Sequence, residues 1–429
     1  MKKTASLRFT VLNVRNLDDK GGNYLRFVFL HANFPAQFVH LASYLAKDPA
    51  NQVLFITGRK EGELPGVQKI VYEESRAVHP ASHHYLQSFE KAVLQGQAVF
   101  RELAKLKTQG FIPDLVHGHA GWGLPTFVKD VFPQSKLVCL FEWFYHAHGS
   151  DADFDPAAQL SVDDELRIRV KNAPLLLDLD SCDWGVSPTY WQHRQFPLEY
   201  QPKISVIHDG IDTKFIKPKP GAKLVLPAIG IDLSETKEIV TYVARGMEPY
   251  RGFPQFIEAV QLIMEERPQC HVVIVGADRV AYGKNLPNNR TYKEAMLEKV
   301  PLDMSRVHFT GLLRKDDYLK VLQASSVHVY LTCPFVLSWS MLEAMAAGCL
   351  VVASDTPPVT EVIADGINGL HTDFFSPQKI AERVVDVLVR QKKYEEVRLR
   401  ARETILNRYA LHKLLPVQLN LLRNIAARK

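Results

Sequence analysis

Residues 239–252 read Ile239-Val-Thr-Tyr-Val243-Ala-Arg245-Gly-Met-Glu248-Pro-Tyr-Arg251-Gly252. A β-branched apolar run passes into a turn carrying two glycines and a proline, and a helical pattern follows. That is the strand–turn–helix step of an α/β fold. Working outward toward the C-terminus, the strand signal repeats at residues 271–275, 307–309, 327–330 and 350–353, with helical patterns between, and the chain from 377 onward reads as helical. Toward the N-terminus an earlier series begins at Leu25-Arg-Phe-Val-Phe-Leu30 and continues at 53–56, 115–116, 137–141 and 185–186. Phe38, Leu41, Ala42 and Leu45 share one helical face, 85–108 is amphipathic, and Ser161 with Asp164 marks a helix start ahead of the run 166–179. Strands alternating with helices predict parallel sheets built from βαβ units.

Between the two series, residues 213–237 hold Pro218, Pro220, Pro227, Gly221 and Gly230, the chemistry of a linker. The expected organisation is an extension at 1–24, an N-terminal domain at 25–212, a linker at 213–237 and a C-terminal domain at 238–405. A final helix follows at about 406–429. Two doubly wound, Rossmann-like domains facing a cleft bind ligands beyond the carboxyl ends of their strands. No G-x-G-x-x-G follows a strand and no Walker loop is present, which disfavours a dinucleotide oxidoreductase and a P-loop enzyme.

Bulk properties bound the function. A chain of 429 residues implies two or three domains, and 46% hydrophobic with 23% charged residues is ordinary globular composition. The net charge of +5 is spread rather than gathered in a basic stripe, which argues against nucleic acid as a partner. A weakly basic face suits a phosphate-bearing substrate, or peripheral contact with the inner face of a membrane. Five cysteines with no CxxC read as reduced thiols of a cytoplasmic protein, and neither a membrane span nor a signal peptide is expected.

Three places carry chemistry. Arg245 and Arg251, at a strand-to-helix turn, suit a diphosphate gripped by charge-assisted bonds; the plainer reading is a surface pair of Glu248 with Arg251. Glu343 is the lone charge between Pro334 and Asp355. Burying it costs several kcal/mol unless something hydrogen-bonds it. Ribose hydroxyls would do so, as would a buried arginine or backbone amides. Asp114-Leu-Val-His117-Gly-His119-Ala-Gly-Trp-Gly123 ends an N-terminal strand, where Gly118, Gly121 and Gly123 permit close backbone approach and either histidine serves a loop or a reaction.

Five strings in order bring a family into view: Ile204-Ser-Val-Ile-His-Asp-Gly-Ile-Asp212, the Arg245–Arg251 turn, Val307-His-Phe-Thr-Gly311, Leu342-Glu-Ala-Met-Ala-Ala-Gly348 and Glu361-Val-Ile-Ala-Asp-Gly-Ile-Asn-Gly369. From about Leu25 to the end the chain resembles the GT4 family of retaining glycosyltransferases, of GT-B fold. Asn33-Phe-Pro-Ala-Gln-Phe38 and His119-Ala-Gly-Trp122 look like a bacterial subgroup with its own acceptor domain.

The resemblance implies an N-terminal acceptor domain and a C-terminal donor domain, the final helix crossing back onto the former. It implies that Arg245 and Arg251 bind the donor diphosphate and stabilise it as it leaves. Glu343 would hold the ribose, and His119 would contact the donor sugar near its reacting carbon. Backbone groups around Thr310, Gly311 and Leu312 would line the base pocket. No cofactor is implied beyond the nucleotide sugar as co-substrate, with UDP or GDP the expected nucleotide, and no metal. The reaction is sugar transfer to a glycan, lipid-linked or other hydroxyl acceptor, as in polysaccharide biosynthesis. The alternatives are a GT-B phosphorylase and a non-catalytic GT-B partner subunit.

One departure bears on the donor sugar. The family pairs Glu343 with an earlier glutamate that contacts sugar hydroxyls, and this chain has Phe335 or Cys333 at that place. The loop Cys333-Pro-Phe-Val-Leu-Ser-Trp-Ser340 offers Ser338 and Ser340 as hydroxyl partners instead. The Asp151-Ala-Asp153-Phe-Asp155 run invites a metal, but it is expected in the acceptor half, far from the arginines, as a solvated loop or acceptor contact.

Overall fold

The computed structural model describes residues 25–157 and 159–427; the extension expected at 1–24 lies outside them. The chain divides into two units. Among the described residues the first comprises 25–140, 170–185 and 421–427, the second the rest, within 141–169 and 186–420.

In the first unit, strands β1 (Arg26–Leu30), β2 (Gln52–Thr57), β3 (Gln68–Val71), β4 (Leu115–His119) and β5 (Lys136–Leu140) lie in the order β3-β2-β1-β4-β5, all parallel. Phe27 to Leu30 and Val53 to Ile56 are buried, as strands covered on both faces must be. Helix α1 (Val39–Leu45) buries Leu41, Ala42 and Leu45, and α2 (Gln87–Thr108) realises the amphipathic stretch. The run 166–179 forms two helices, α3 (Val162–Lys171), which falls mostly in the second unit, and α4 (Ala173–Ser181) in the first. Ser161 starts α3 as expected: its hydroxyl accepts the Asp164 amide at 3.1 Å. Gly123 is explained by packing, since at φ +84° a Cβ there would lie 1.9 Å from the Ala92 carbonyl oxygen of α2.

The next two strands are β6 (Trp184–Ser187) and β7 (Ile204–Val206). The stretch expected as a bare linker holds an antiparallel ladder, β8 (Leu224–Leu226) with β9 (Ile231–Leu233). Leu224, Leu226, Ile231 and Leu233 join a core with Ile239, Val273, Val275 and Val321. Each arm is only three residues, too short to declare a period against its prolines and glycines.

The main sheet of the second unit runs β10 (Ile239–Gly246), β11 (His271–Ala277), β12 (Val307–Gly311), β13 (Val327–Tyr330), β14 (Val351–Ser354) and β15 (Leu370–Thr372). Its order is β12-β11-β10-β13-β14-β15, parallel throughout. Alternate side chains enter different cores. Val240, Tyr242, Val329 and Val352 pack with α5 (Phe253–Glu266), whereas Tyr330, Val351 and Ala353 pack with residues of 339–347. The order places the ends of β10 and β13, sheet neighbours that diverge into different loops, at the point where the strand order reverses.

Candidate functional site

At the end of β10 the chain turns through a short 3₁₀ segment, Pro249–Arg251, into α5. Gly252 makes this turn possible: its φ is +61°, and a Cβ there would approach Leu331 Cβ to 2.5 Å. The turn delivers Arg251 into the protein, where it is only 4% exposed. Its guanidinium donates to Thr332 Oγ1 at 2.6 Å, Tyr330 Oη at 3.2 Å and the Val336 carbonyl at 3.1 Å, and lies 5.3 Å from the Tyr282 ring centroid. Every one of these partners is neutral. Among the described residues no carboxylate pairs with it. Arg245, by contrast, is exposed at the end of β10.

The surface pair of Glu248 with Arg251 does not form. Glu248 is fully buried, and its carboxylate accepts the backbone N–H groups of Ala281 (2.9 Å), Tyr282 (3.0 Å) and Gly283 (2.7 Å). The acid therefore ties down the loop that carries Tyr282. Neighbouring amides satisfy it, so the cation three residues on stays without a counter-charge.

The other donor-side candidates belong to the same unit. Helix α6 (Lys315–Gln323) precedes β13, and α7 (Trp339–Ala347) follows it. Glu343 on α7 accepts Tyr318 Oη of α6 at 2.7 Å. Burial raises its pKa above the ordinary carboxylate value, against the opposing effects of the Tyr318 bond and Lys315. The structural partner is thus a tyrosine, not an arginine or backbone amides. Thr310 is buried, Gly311 takes φ +66° with open space where a Cβ would stand, and Leu312 is 77% exposed. Ser338 caps α7, accepting the Ser340 amide at 3.3 Å, and the two hydroxyls lie 3.0 Å apart. The Ser338 amide donates to Tyr330 Oη at 2.9 Å, the same oxygen that receives Arg251.

Phe335 is 7% exposed, its ring 5.0 Å from Trp143, 5.5 Å from Tyr250 and 5.3 Å from Tyr282. Cys333 is buried beside them, and burial pushes its thiol above the ordinary range. Asp151 is not far from Arg251, contrary to expectation. Residues 141–169 group with the second unit, and Asp151 accepts the hydroxyl of Tyr250, the neighbour of Arg251, at 2.7 Å. Ninety-nine residues of sequence separate the pair, and no local pattern announces such a contact.

His119 ends β4 in the first unit, 3% exposed, stacked at 4.3 Å on Trp122 and edge-on to His31 at 4.7 Å. Asp178 of α4, missed in the sequence, holds this loop: fully buried, it accepts the Gly121 amide at 2.9 Å and Thr126 Oγ1 at 3.0 Å. Burial pushes its pKa up to about 7, partly offset by those two bonds and by His119. One of two acids in an otherwise apolar helix, with Asp180, it carried no spacing signal.

Among the described residues, no group of three or more His, Cys, Asp or Glu is placed to hold a metal ion, and no helix is long and apolar enough to cross a membrane.

Two family models match successive parts of the chain. A model described as the glycosyl transferase family 4 group matches residues 49–216, and one described as glycosyl transferases group 1 matches residues 230–404. The chain is 27% identical over 204 residues to spore coat protein SA of Bacillus subtilis, covering 46% of this chain and 52% of that protein. It is 27% identical over 256 residues to alpha-maltose-1-phosphate synthase of Mycolicibacterium smegmatis, covering 54% and 60%. The chain thus matches little more than half the length of these curated relatives. Among solved structures, Anabaena HepE in complex with UDP and glucose superposes with a TM-score of 0.67 at 16% identity, covering 93% of this chain and 100% of that one. Sucrose-phosphate synthase from Thermosynechococcus elongatus gives 0.71 at 17%, covering 94% and 99%. At these identities the structural likeness is one of fold.

Proposed function

This chain belongs to the GT4-type glycosyltransferases of GT-B fold, and from that premise we propose that its second unit binds a nucleotide-diphosphate sugar whose sugar passes to a hydroxyl acceptor with retention at the anomeric carbon. The observation that carries the reading is Arg251. A buried guanidinium bonded to two hydroxyls and a carbonyl, with no acid beside it, is expensive to keep unless an anion completes its shell. A diphosphate at the β10–α5 turn is such an anion, and exposed Arg245 offers it a second cation. As the bond to the sugar breaks, charge grows on the leaving diphosphate, where a preorganised arginine stabilises it most. The diphosphate itself takes the acceptor's proton in this scheme. Glu343, already holding Tyr318 through one oxygen, receives the ribose hydroxyls with the other. Anabaena HepE, solved with UDP-glucose, supports a uridine nucleotide as the first donor to try. The acceptor is a glycan or a lipid-linked sugar, and the spread positive charge suits work beside an anionic membrane face.

Purified protein offered a panel of labelled nucleotide sugars with and without inorganic phosphate tests this reading. Release of nucleoside diphosphate that requires the nucleotide sugar is the expected result. Turnover that requires phosphate would make the protein a phosphorylase. Neither turnover nor nucleotide binding would leave a partner subunit.

A further inference from the structure

Beyond the carboxyl ends of β14 and β15 lies a cavity of about 980 Å³. Its lining comes wholly from the second unit: the segments after the two strands, helix α8 (Pro377–Val389) and Phe154. Arg251 and its partners do not line it. One wall is aromatic. The rings of Phe154, Phe374 and Phe375 stand 4.9–5.0 Å apart between centroids, and Phe375 is 39% exposed. Much of the remaining lining is polar and loosely paired. Asp365 and Asp373 each fix one oxygen on a backbone N–H, of His371 at 2.7 Å and of Phe375 at 2.9 Å. Their other oxygens face Arg383 at 3.8 Å and Lys379 at 3.2 Å, and His371 Nδ1 lies 3.6 Å from Asp355. Charge-assisted bonds close to about 2.7–2.9 Å, so donors and acceptors alike keep capacity for a ligand. Thr372, 5% exposed, adds a hydroxyl with no hydrogen-bond partner among the described residues, which is costly to leave unbonded.

We propose that this cavity binds a short stretch of neutral glycan, held by the second unit away from the bond being made. The binding stands apart from the Arg251 site; that the glycan is the acceptor or its extended product rests on the proposed transfer reaction. The mixture of charges decides the class of ligand. A cation drawn to the carboxylates meets Arg383 and Lys379, and an anion drawn to those two meets Asp355, Asp365 and Asp373. A sugar hydroxyl donates to one partner and accepts from the other, so it closes the gap within each pair. The C–H face of a sugar ring rests on the negative face of exposed Phe375. The volume stands at the top of the roughly 300–1,000 Å³ of small-molecule sites, which suits a short oligosaccharide better than one sugar. Phe374 ties the cavity to the chemistry, since its ring comes within 3.1 Å of the Cβ position at Gly252, beside Arg251.

Saturation-transfer NMR and titration calorimetry without nucleotide test the proposal, with maltotriose, cellotriose, mannotriose and triacetylchitotriose as probes. Wild-type protein should bind at least one of them with a millimolar or tighter dissociation constant. Phe375→Ala should weaken that binding roughly threefold to tenfold. Thr372→Val keeps the shape and removes the hydroxyl. It should weaken binding a few-fold while the unliganded protein stays as stable as wild type or becomes more so, because the lost group had no partner. Binding of none of the four, binding indifferent to both substitutions, or displacement of the bound trisaccharide by spermidine overturns the proposal. Titration of UDP into the same protein decides the donor site separately. A protein that binds UDP and no trisaccharide loses this cavity and keeps the donor site; one that binds a trisaccharide and no nucleotide does the reverse.

Discussion

At the scale of single residues, the site is organised by where charges find partners. Glu248 spends its carboxylate on three backbone amides, which leaves Arg251 to neutral oxygens. Removing the acid should therefore act on the loop and only through it on the nucleotide. Glu248→Ala deprives three part-buried N–H groups of their acceptor, at up to about 1–3 kcal/mol each where water does not replace it. Urea denaturation should show a loss of several kcal/mol; a loss below ~1 kcal/mol would mean that the loop is held otherwise. Asp178 gives a pH dependence with a definite sign. Its folded pKa, about 7, lies above the unfolded value near 3.9, so the neutral acid is the favoured folded form. The stability it contributes is complete below the unfolded pKa and is lost as pH rises toward 7. Between pH 5 and pH 8 the wild type should lose about 2 kcal/mol relative to Asp178→Asn in paired denaturation curves. A gap constant across that range would refute the buried carboxyl.

At the scale of elements, the strands were legible because buried parallel strands are continuous apolar runs: 327–330 was expected as it stands, and the others within a residue or two at most ends. Strands β3, β7 and β15 were not: Gln68–Val71 is half exposed and carries no such run, and the other two are three residues each. The short ladder inside the linker was hidden for the reason already given, and the run 166–179 broke in two at Asn172, just ahead of Pro174. Arg251, Glu343 and the serines could be named from sequence because they follow strands. Their partners could not, because Tyr318 and Tyr330 reach them only through the fold. The β10–α5 turn is the element on which the site depends. Gly252→Ala must either abandon φ +61° or push into Leu331, and should cost about 2–4 kcal/mol. Nucleotide binding should weaken with it, since Arg251 is the preceding residue. A variant of wild-type stability would show that the turn tolerates a side chain. Ser338→Ala, losing an N-cap, should cost about 1 kcal/mol in the same assay.

At the scale of the molecule, both units are discontinuous in sequence. Residues 141–169 group with the second unit and 421–427 with the first, an exchange that sequence periodicity does not record. It is why an acid expected in the acceptor half bonds Tyr250, the neighbour of Arg251. In the proposed scheme positive charge for the leaving group comes from arginines, so turnover should persist in excess EDTA; complete loss restored by Mn²⁺ would instead make Asp151 and Asp153 ligands. The central claim is that Arg251 is a buried cation kept for a diphosphate. Calorimetric titration of UDP, GDP, ADP and TDP into wild-type protein and into Arg251→Ala, with the fold of each checked by circular dichroism, tests it most directly. The account predicts that at least one nucleotide binds the wild type and that the variant, still folded, loses of order 2–5 kcal/mol of that affinity. Equal affinity in the two proteins would contradict it.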